Sequence, residues 1–229
     1  MKLLKSDGIV IKKVDHSEAD RSLTLFTKNF GRINLNIKGL RKSKKRHLNG
    51  ADLFAISNFI FYKKDEYYIL SSFELNETFF NLRKDLEKIN ISFHILEILN
   101  SILVENETRV DLYRLLLNSF RFLDKNNKPV KNYLLLGYFL ALLIQKEGIM
   151  FNIKDGPYFD IENSIINNIP ISRKLSEIQK IIIIHLFDEK INTIVSLDPP
   201  IDDIKKIISL LEDYINYHLN LKINFKEFF

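Results

Sequence analysis

Apolar and polar residues alternate along much of the first 77 positions of the chain. The alternating apolar positions are Ile9 and Ile11, then Leu23 and Leu25, then Ile33, Leu35 and Ile37. Because successive side chains of a strand point to opposite faces, a period of two indicates a strand with one buried face. Two longer apolar and aromatic runs follow, at residues 53–63 and 67–75. The pattern therefore predicts five short strands, which is typical of a small barrel.

Polar segments connect these predicted strands. Asn29 to Gly31 separates the second strand from the third, and Lys64 to Glu66 is predicted to form a hairpin turn between the fourth and the fifth. Residues 38–50 form a long basic loop between the third strand and the fourth. A five-stranded barrel with long loops describes the OB-fold, which binds oligonucleotides across one face. We therefore expect an OB-fold over residues 1–80.

Beyond Thr78 the apolar period becomes helical. Two stripes have the spacing of amphipathic helices, at Leu86, Ile89, Phe93, Leu96 and Leu103, and at Leu112, Leu115, Leu116, Ser119, Phe122 and Leu123. A third helix, from about Val130 to Gln145, is apolar on most sides and is predicted to lie at the centre of a bundle. Gly148 is placed to terminate this helix.

The last part of the chain predicts a lobe and two more helices. Residues 151–170 contain glycine, proline and several asparagines without a clear period, so we expect an irregular lobe. Ser172 or Ser176 is positioned to cap a helix that runs to Phe187, and Pro199 with Pro200 marks the start of the last helix. The predicted fold class is α+β, with an OB-fold domain at residues 1–80 and a mainly α-helical domain at residues 81–229.

Positive charge is concentrated in the basic loop and the strands before it. Between Asp20 and Asp52 the chain has nine Lys or Arg residues and no Asp or Glu. Residues 1–80 hold 15 basic and 9 acidic side chains, whereas residues 81–229 hold 19 and 20. This asymmetry indicates a polyanionic partner, although a solvated turn is the alternative interpretation of an isolated basic run.

Nucleic acid is the polyanion that best fits a basic loop on an OB-fold. A cluster of positive charges contacts phosphates without reading bases, so binding is expected to be independent of sequence. The predicted DNA-binding residues are Arg32, Lys38, Arg41, Lys42, Lys44, Lys45 and Arg46.

The composition excludes several kinds of chemistry. The chain has no cysteine, which excludes disulfides, thiolate metal sites and a cysteine nucleophile. Its five histidines lack the spacing of a zinc site, and no glycine-rich phosphate loop or hydrolase motif occurs. We therefore expect no cofactor, no metal and no enzymatic activity.

The sequence also predicts a cytoplasmic protein. The first eight residues are charged and lack the apolar core of a signal peptide. The longest apolar run, residues 133–144, is 12 residues long, well short of the ~20 that span a bilayer.

Aromatic residues are frequent on the fourth and fifth predicted strands, at Phe59, Phe61, Tyr62, Tyr67, Tyr68 and Phe73. They fall on both faces of these strands, so some belong to the core. Others are placed to stack on unpaired bases, which contributes about 1–3 kcal/mol per base where it occurs. Sequence alone does not sort the two groups.

The order of short motifs resembles the RecO family of bacterial DNA repair proteins. The motifs are Gly8-Ile9-Val10-Ile11-Lys12, Ser17-Glu18-Ala19-Asp20, Leu25-Phe26-Thr27, Gly31-Arg32-Ile33, Lys38-Gly39-Leu40-Arg41-Lys42, Leu48-Asn49-Gly50-Ala51-Asp52-Leu53-Phe54, and Tyr217-His218-Leu219 with Leu221-Lys222. The resemblance covers the first 80 residues well and the remainder loosely.

This resemblance implies a recombination mediator without enzymatic turnover. Such proteins bind single- and double-stranded DNA and promote strand annealing. With the partner RecR they help to load the RecA recombinase onto strands coated by the single-stranded-DNA-binding protein. Many members carry a four-cysteine zinc site in the lobe after the central helices. This chain has no cysteine, so its lobe is expected to be held by packing alone.

The resemblance also implies a binding site for a partner tail. In the family the helical domain takes the acidic, phenylalanine-ending tail of the single-stranded-DNA-binding protein, a ligand that requires an apolar pocket beside a cation. Arg121, Lys131 and Tyr138 are the candidate residues of suitable type.

Two other interpretations of the basic loop remain open at the level of sequence. An OB-fold protein acting on ribosomal or transfer RNA fits the same pattern, because no feature here distinguishes ribose from deoxyribose. A peripheral membrane protein fits less well, since the chain lacks the amphipathic anchor or lipidation signal that stable attachment requires. The family resemblance favours DNA, in the bacterial cytoplasm and at the nucleoid.

Overall fold

The computed structural model describes residues 2–16, 21–37, 48–65, 67–170, 172–188, 193, 196 and 198–224. The chain forms two compact units. Unit 1 comprises Met1–Asp85 and Leu96–Lys125, and unit 2 comprises Leu86–Ile95 and Asn126–Phe229. These packing units do not follow a single cut in the sequence, and the domain boundary expected near residue 80 stays a prediction.

Unit 1 contains a closed five-stranded barrel. Its strands are β1 (Leu4–Asp15), β2 (Arg21–Thr27), β3 (Gly31–Ile37), β4 (Ile56–Lys64) and β5 (Tyr67–Glu77). The order around the barrel is β1-β2-β3-β5-β4, and β4 pairs back to β1. All pairings are antiparallel except that of β3 with β5, which is parallel and short. The OB-fold prediction is therefore confirmed.

The barrel core is built from the alternating apolar residues. Leu23 and Leu25 on β2, and Ile33 and Leu35 on β3, are at most 1% exposed. Val10 of β1 belongs to the same cluster. Because fully burying a side chain of this size contributes about 1.5–3 kcal/mol, the period of two fixes which face of each strand points inward.

The tight turn between β2 and β3 depends on Gly31. This residue has φ +63°, in the left-handed region. A Cβ at Gly31 would lie 1.9 Å from the main-chain oxygen of Glu107, so only glycine fits. The Thr27 hydroxyl donates to the Gly31 oxygen at 2.8 Å and closes the turn.

Helix α2 (Val110–Lys125) packs within unit 1 through aromatic residues. The rings of Tyr113 and Phe26, a barrel residue, pack edge to face with their centres 5.7 Å apart. The rings of Phe120 and Phe54 pack in the same way at 5.4 Å. The predicted stripe is largely confirmed, since Leu112, Leu116, Ser119 and Leu123 are buried. Phe122 is instead exposed, and Phe120 takes the inward position.

The apolar stripe predicted for helix α1 (Leu86–Ile102) is confirmed only in part, since Leu96 and Leu103 are buried. Leu86 and Phe93 of the predicted stripe are exposed, at 73% and 38%. The buried apolar side chains include Ile91, Ile95 and Leu99. The error has a physical cause, because this helix carries apolar residues on more than one side and its sequence does not mark a single stripe.

Unit 2 is built around helix α3 (Pro129–Lys146), which packs against α4 (Glu177–Phe187) and α5 (Ile201–Leu219). The central position predicted for α3 is confirmed by its many fully buried residues. Ser176 caps α4 as predicted, since its hydroxyl accepts from Gln179 N while the Gln179 amide accepts from Ser176 N. Helix α5 begins after Pro200.

The lobe after α3 holds a small sheet, so the prediction of an irregular lobe was wrong. Its strands are β6 (Asn152–Ile153), β7 (Tyr158–Asp160), β8 (Ile165–Asn167) and β9 (Arg173–Lys174), in the order β6-β8-β7-β9. Strands of two or three residues are too short to show a period of two. Phe151 packs against the rings of Phe159 and Tyr214, at 4.7 and 5.2 Å, and anchors the lobe by aromatic contacts.

Within the described ranges, none of the helices combines the length and the apolar character needed to cross a bilayer.

Candidate nucleic-acid interface

Both ends of the basic loop are fixed to the barrel. Strand β3 ends at Ile37, which is 2% exposed, and the described chain resumes in a 3₁₀ turn at Leu48–Ala51. The Ser57 hydroxyl donates to the Gly50 oxygen at 2.8 Å. A Cβ at Gly50 would lie 2.7 Å from the Phe73 ring, so the close approach of this turn requires glycine.

The predicted phosphate-binding residues of the loop lie outside the described residues. They are Lys38, Arg41, Lys42, Lys44, Lys45 and Arg46. The described residues Ile37 and Gly50, which lie before and after them in the sequence, contact the barrel.

The acidic residue that follows the basic run is paired with cations. Asp52 forms an ion pair with Lys13, lies 3.8 Å from an Arg83 nitrogen, and accepts from Leu53 N. Burial raises the pKa of Asp52, but the bonds from Lys13 and Leu53 outweigh it and the pKa is lowered. On β1, Asp15 accepts from Arg21 at 2.6 Å. These pairings reduce the repulsion that the two carboxylates exert on an incoming anion.

Arg32 has a structural role in the described part of the chain. Its Nη1 donates to the main-chain oxygens of Asn100 and Leu103, at 3.0 and 3.2 Å. These carbonyls lie at the C-terminal end of α1, where orphan oxygens and the helix dipole favour a cation. The phosphate contact expected of Arg32 stays a prediction.

A row of hydrogen-bonded polar side chains crosses the outer face of β2 and β3. Ser22 donates to Asn36 and Thr24 donates to Asn34, each at 2.8 Å, between directly opposite residues of the two strands. His16 extends the row, with Nε2 2.6 Å from the Ser22 hydroxyl. We call Ser22, Thr24, Asn34 and Asn36 the polar ladder.

The polar ladder lies on the surface that OB-folds use to bind oligonucleotides. Asn34 and Asn36 alternate with the buried residues of β3 and lie on its solvent side. Their repetition at alternate positions could have indicated a binding surface, because two amides on one strand face offer aligned donors and acceptors.

The structure sorts the aromatic residues of β4 and β5. Phe59 and Phe61 are completely buried in the barrel core. Tyr68 and Phe73 are partly buried and pack against that core. Tyr67 differs from all of these, because 65% of its surface is exposed.

The residues expected to bind a partner tail belong to different units. Arg121 lies on α2 in unit 1 and pairs with Glu77, with Nε 3.0 Å from Oε2. This bond raises the pKa of Arg121 and lowers that of Glu77. Lys131 and Tyr138 lie on α3 in unit 2, and both are half-buried. Whether any of the three binds a tail stays a prediction.

Unit 2 contains a cationic groove that sequence reasoning missed. Its volume is about 590 Å³, and its lining includes the cations Arg173, Lys174, Lys205 and Lys206. Leu175, Ile207 and Leu210 provide apolar lining. Arg173 pairs with Asp213 at 2.9 Å, and the Lys205 ammonium lies 4.8 Å from the centre of the Tyr133 ring. Two pairs of adjacent cations, Arg173-Lys174 and Lys205-Lys206, are the feature of the sequence that could have indicated this groove.

Comparisons with known proteins agree on one family. Residues 1–79 match the family model described as recombination protein O N terminal. The DNA repair protein RecO of Acetivibrio thermocellus is 38% identical over 128 residues, 56% of this chain and 51% of that protein. The protein of the same name from Caldicellulosiruptor saccharolyticus is 28% identical over 244 aligned positions, 100% of this chain and 98% of that protein.

The first 79 residues match the N-terminal domain of the RecO family, and the whole chain is similar to RecO proteins.

The family match is strongest in the barrel. The match to the A. thermocellus protein, like that to the RecO of a Thermoanaerobacter species at 37% identity, spans only about half the length of the relative. The RecO motifs fall on named elements, since the Gly8 to Lys12 motif lies on β1 and the Gly31 to Ile33 motif opens β3.

The zinc site carried by many members of the RecO family does not fit this lobe. The chain has no cysteine to supply thiolates. In the described part of the chain no three His, Asp or Glu side chains converge as metal ligands. His218 lies beside the lobe, but its Nε2 is 3.0 Å from the Ile161 oxygen and 3.2 Å from the Ser164 hydroxyl. Hydrogen bonds and ring packing hold the described part of the lobe.

Proposed function

We propose that this protein is a recombination mediator in DNA repair. It binds single- and double-stranded DNA without sequence preference, promotes annealing of complementary strands, and helps to load the RecA recombinase onto DNA coated by the single-stranded-DNA-binding protein. It acts without catalysis, with RecR as partner, on DNA at the nucleoid in the bacterial cytoplasm. The observation that carries the proposal is the polar ladder of an OB-fold barrel whose strand β3 leads directly into the basic loop.

Phosphate binding is assigned to Arg32, Lys38, Arg41, Lys42, Lys44, Lys45 and Arg46. Lysine and arginine side chains neutralise phosphates and release counterions, which makes binding salt-dependent and independent of sequence. The same chemistry supports annealing, because cations that bind two strands at once reduce the repulsion between their phosphates. The pairing of Asp52 with Lys13 supports this assignment, since Asp52 is the first acid after the loop in the sequence.

Unit 2 is proposed to bind the acidic tail of the single-stranded-DNA-binding protein. A tail that combines carboxylates with a terminal phenylalanine requires cations beside an apolar surface. The cationic groove supplies both, with Lys205 and Lys206 near Ile207 and Leu210. We favour the groove over Arg121, Lys131 and Tyr138, because the groove combines cations and apolar lining in one unit, whereas Arg121 lies in a different unit from Lys131 and Tyr138.

A strand-annealing assay tests the proposed function. Complementary oligonucleotides are coated with the bacterial single-stranded-DNA-binding protein, and duplex formation is followed by fluorescence energy transfer. The full chain is expected to accelerate annealing, and a variant with Lys44, Lys45 and Arg46 replaced by Ala is expected to lose most of this effect. Replacing Lys128, Lys154 and Lys222, three exposed lysines of unit 2, removes the same charge and should leave annealing intact. No acceleration by the full chain would contradict the proposal.

A further inference from the structure

Tyr67 is an exposed aromatic residue that the barrel core does not explain. It opens β5 directly after the turn from β4, and 65% of its surface is exposed. Among the described residues its side chain takes part in no hydrogen bond and no ring contact. Its neighbour Tyr68, by contrast, packs against the core and donates its hydroxyl to Asn106 at 2.9 Å.

Tyr67 lines a small pocket at the narrowest seam of the barrel. Strands β3 and β5 pair over only two residues there, Leu35 with Tyr68 and Asn36 with Ile69. The pocket has a volume of about 230 Å³ and is lined by Ile33, Asn34, Asn36, Tyr67, Tyr68, Glu105 and Asn106. It is several times larger than a water molecule, at ~30 Å³, and smaller than the ~300–1,000 Å³ of drug-sized sites. One planar ring system is a ligand of suitable size.

Polar groups at this pocket are held in place by hydrogen bonds and still have donors and acceptors that a ligand could use. Asn36 accepts from Ser22 through Oδ1, and Asn106 accepts from Tyr68 through Oδ1. In the part of the chain that the structure describes, neither amide nitrogen has a protein partner. Glu105 receives the Asn34 amide on one carboxylate oxygen, which leaves the other as an acceptor. The pocket therefore presents two donors and one acceptor beside an aromatic ring.

Cations border the same pocket. Lys64 lies directly opposite Tyr67 in the β4–β5 ladder, and opposite residues of antiparallel strands share a face. Asn36 is two positions before Lys38, where the basic loop begins. A ligand with a ring in the pocket would thus have its anionic groups next to Lys64.

We propose that this pocket holds one unpaired nucleobase, which stacks on Tyr67 and hydrogen-bonds through its edge to Asn36, Asn106 and Glu105. The inference rests on the proposed function and deepens it, because it assigns a site for single strands. Every base has a flat aromatic face, so stacking tolerates any sequence. A base in a duplex is already paired and stacked, so the pocket selects single-stranded over double-stranded DNA.

Fluorescence of a Tyr67→Trp variant tests the proposal directly. The chain contains no tryptophan, so this variant carries a single indole at the pocket. Oligodeoxythymidine is expected to quench it, whereas an abasic strand with the same number of phosphates is expected to bind without quenching. A Tyr217→Trp variant is the matched control, because Tyr217 is 55% exposed on α5 in unit 2 and should respond to neither strand. Equal responses of the Tyr67→Trp variant to both strands, with binding verified by anisotropy, would overturn the proposal.

Affinity measurements provide a second readout. Tyr67→Ala is expected to weaken binding of oligodeoxythymidine about fivefold or more, to leave duplex affinity unchanged, and to leave the salt dependence unchanged because no charge is removed. Tyr67→Phe should bind as wild type. Unchanged affinity of Tyr67→Ala for oligodeoxythymidine would overturn the base pocket while the proposed DNA-binding function stands. Failure of the wild-type chain to bind any strand would overturn both.

Discussion

Arg32 Nη1 donates a 3.0 Å hydrogen bond to the main-chain oxygen of Asn100. A residue of β3 thereby satisfies carbonyl groups at the C-terminal end of α1, within unit 1. An arginine in the middle of a basic run can therefore act on the fold as well as on DNA. The two roles predict different behaviour on mutation.

Arg32→Ala is expected to lower the free energy of unfolding by about 1–3 kcal/mol, because partly buried carbonyls lose a charged donor. Chemical denaturation monitored by circular dichroism measures the change. Arg32→Lys keeps the charge but loses the guanidinium that reaches both carbonyls from Nη1, so it should recover DNA binding better than stability. Full recovery of stability by Arg32→Lys would show that these two bonds do not require a guanidinium.

The ion pair between Glu77 and Arg121 predicts a pH dependence of stability. The hydrogen bond from Arg121 lowers the pKa of Glu77 below its usual 4.5. A lowered pKa in the folded state contributes stability above the unfolded pKa and loses it as the pH falls through the folded pKa. Because the pair is partly exposed, the expected contribution at neutral pH is only about 0.5 kcal/mol.

Glu77→Gln should therefore be slightly less stable than wild type at pH 7, and the difference should disappear as the pH falls through the lowered pKa of Glu77. Denaturation midpoints measured across this range check the prediction. Glu74→Gln is the matched control, since Glu74 is an exposed acid of the same strand. A Glu77→Gln difference that persists unchanged at low pH would contradict the assignment.

The cationic groove of unit 2 predicts where an acidic tail binds. The double variant Lys205→Ala, Lys206→Ala is expected to bind a peptide of the single-stranded-DNA-binding protein tail at least about tenfold more weakly, because two charge-assisted contacts are lost. Titration with a fluorescent peptide measures this. Arg121→Ala with Lys131→Ala tests the competing site. Loss of binding in that double variant, with wild-type binding in the groove variant, would move the site to Arg121, Lys131 and Tyr138.

The barrel was predictable because its information is local. The alternation of Ile33, Leu35 and Ile37 specifies both a strand and its inward face, and the short turns specify which strands are neighbours. The lobe was not predictable in the same way, since strands β6 to β9 have two or three residues each and depend on distant aromatic partners such as Tyr214.

The candidate site was likewise predictable only where its information is local. The run of cations is visible in the sequence, but the engagement of Arg32 with α1 depends on residues about 70 positions away. The exposure of Tyr67 and the burial of Phe59 could not be told apart either, because both lie on aromatic strands and only the barrel closure separates them.

The salt dependence of single-stranded DNA binding tests the central claim most directly. If the loop cations contact about four to six phosphates, log K should fall with log salt at a slope of about −3 to −5. Replacing Lys44, Lys45 and Arg46 by Ala should make that slope shallower by about 2, whereas replacing Lys128, Lys154 and Lys222 should leave it unchanged. A slope near zero for the wild-type chain, or an identical slope for the loop variant, would contradict a phosphate-binding loop on the barrel.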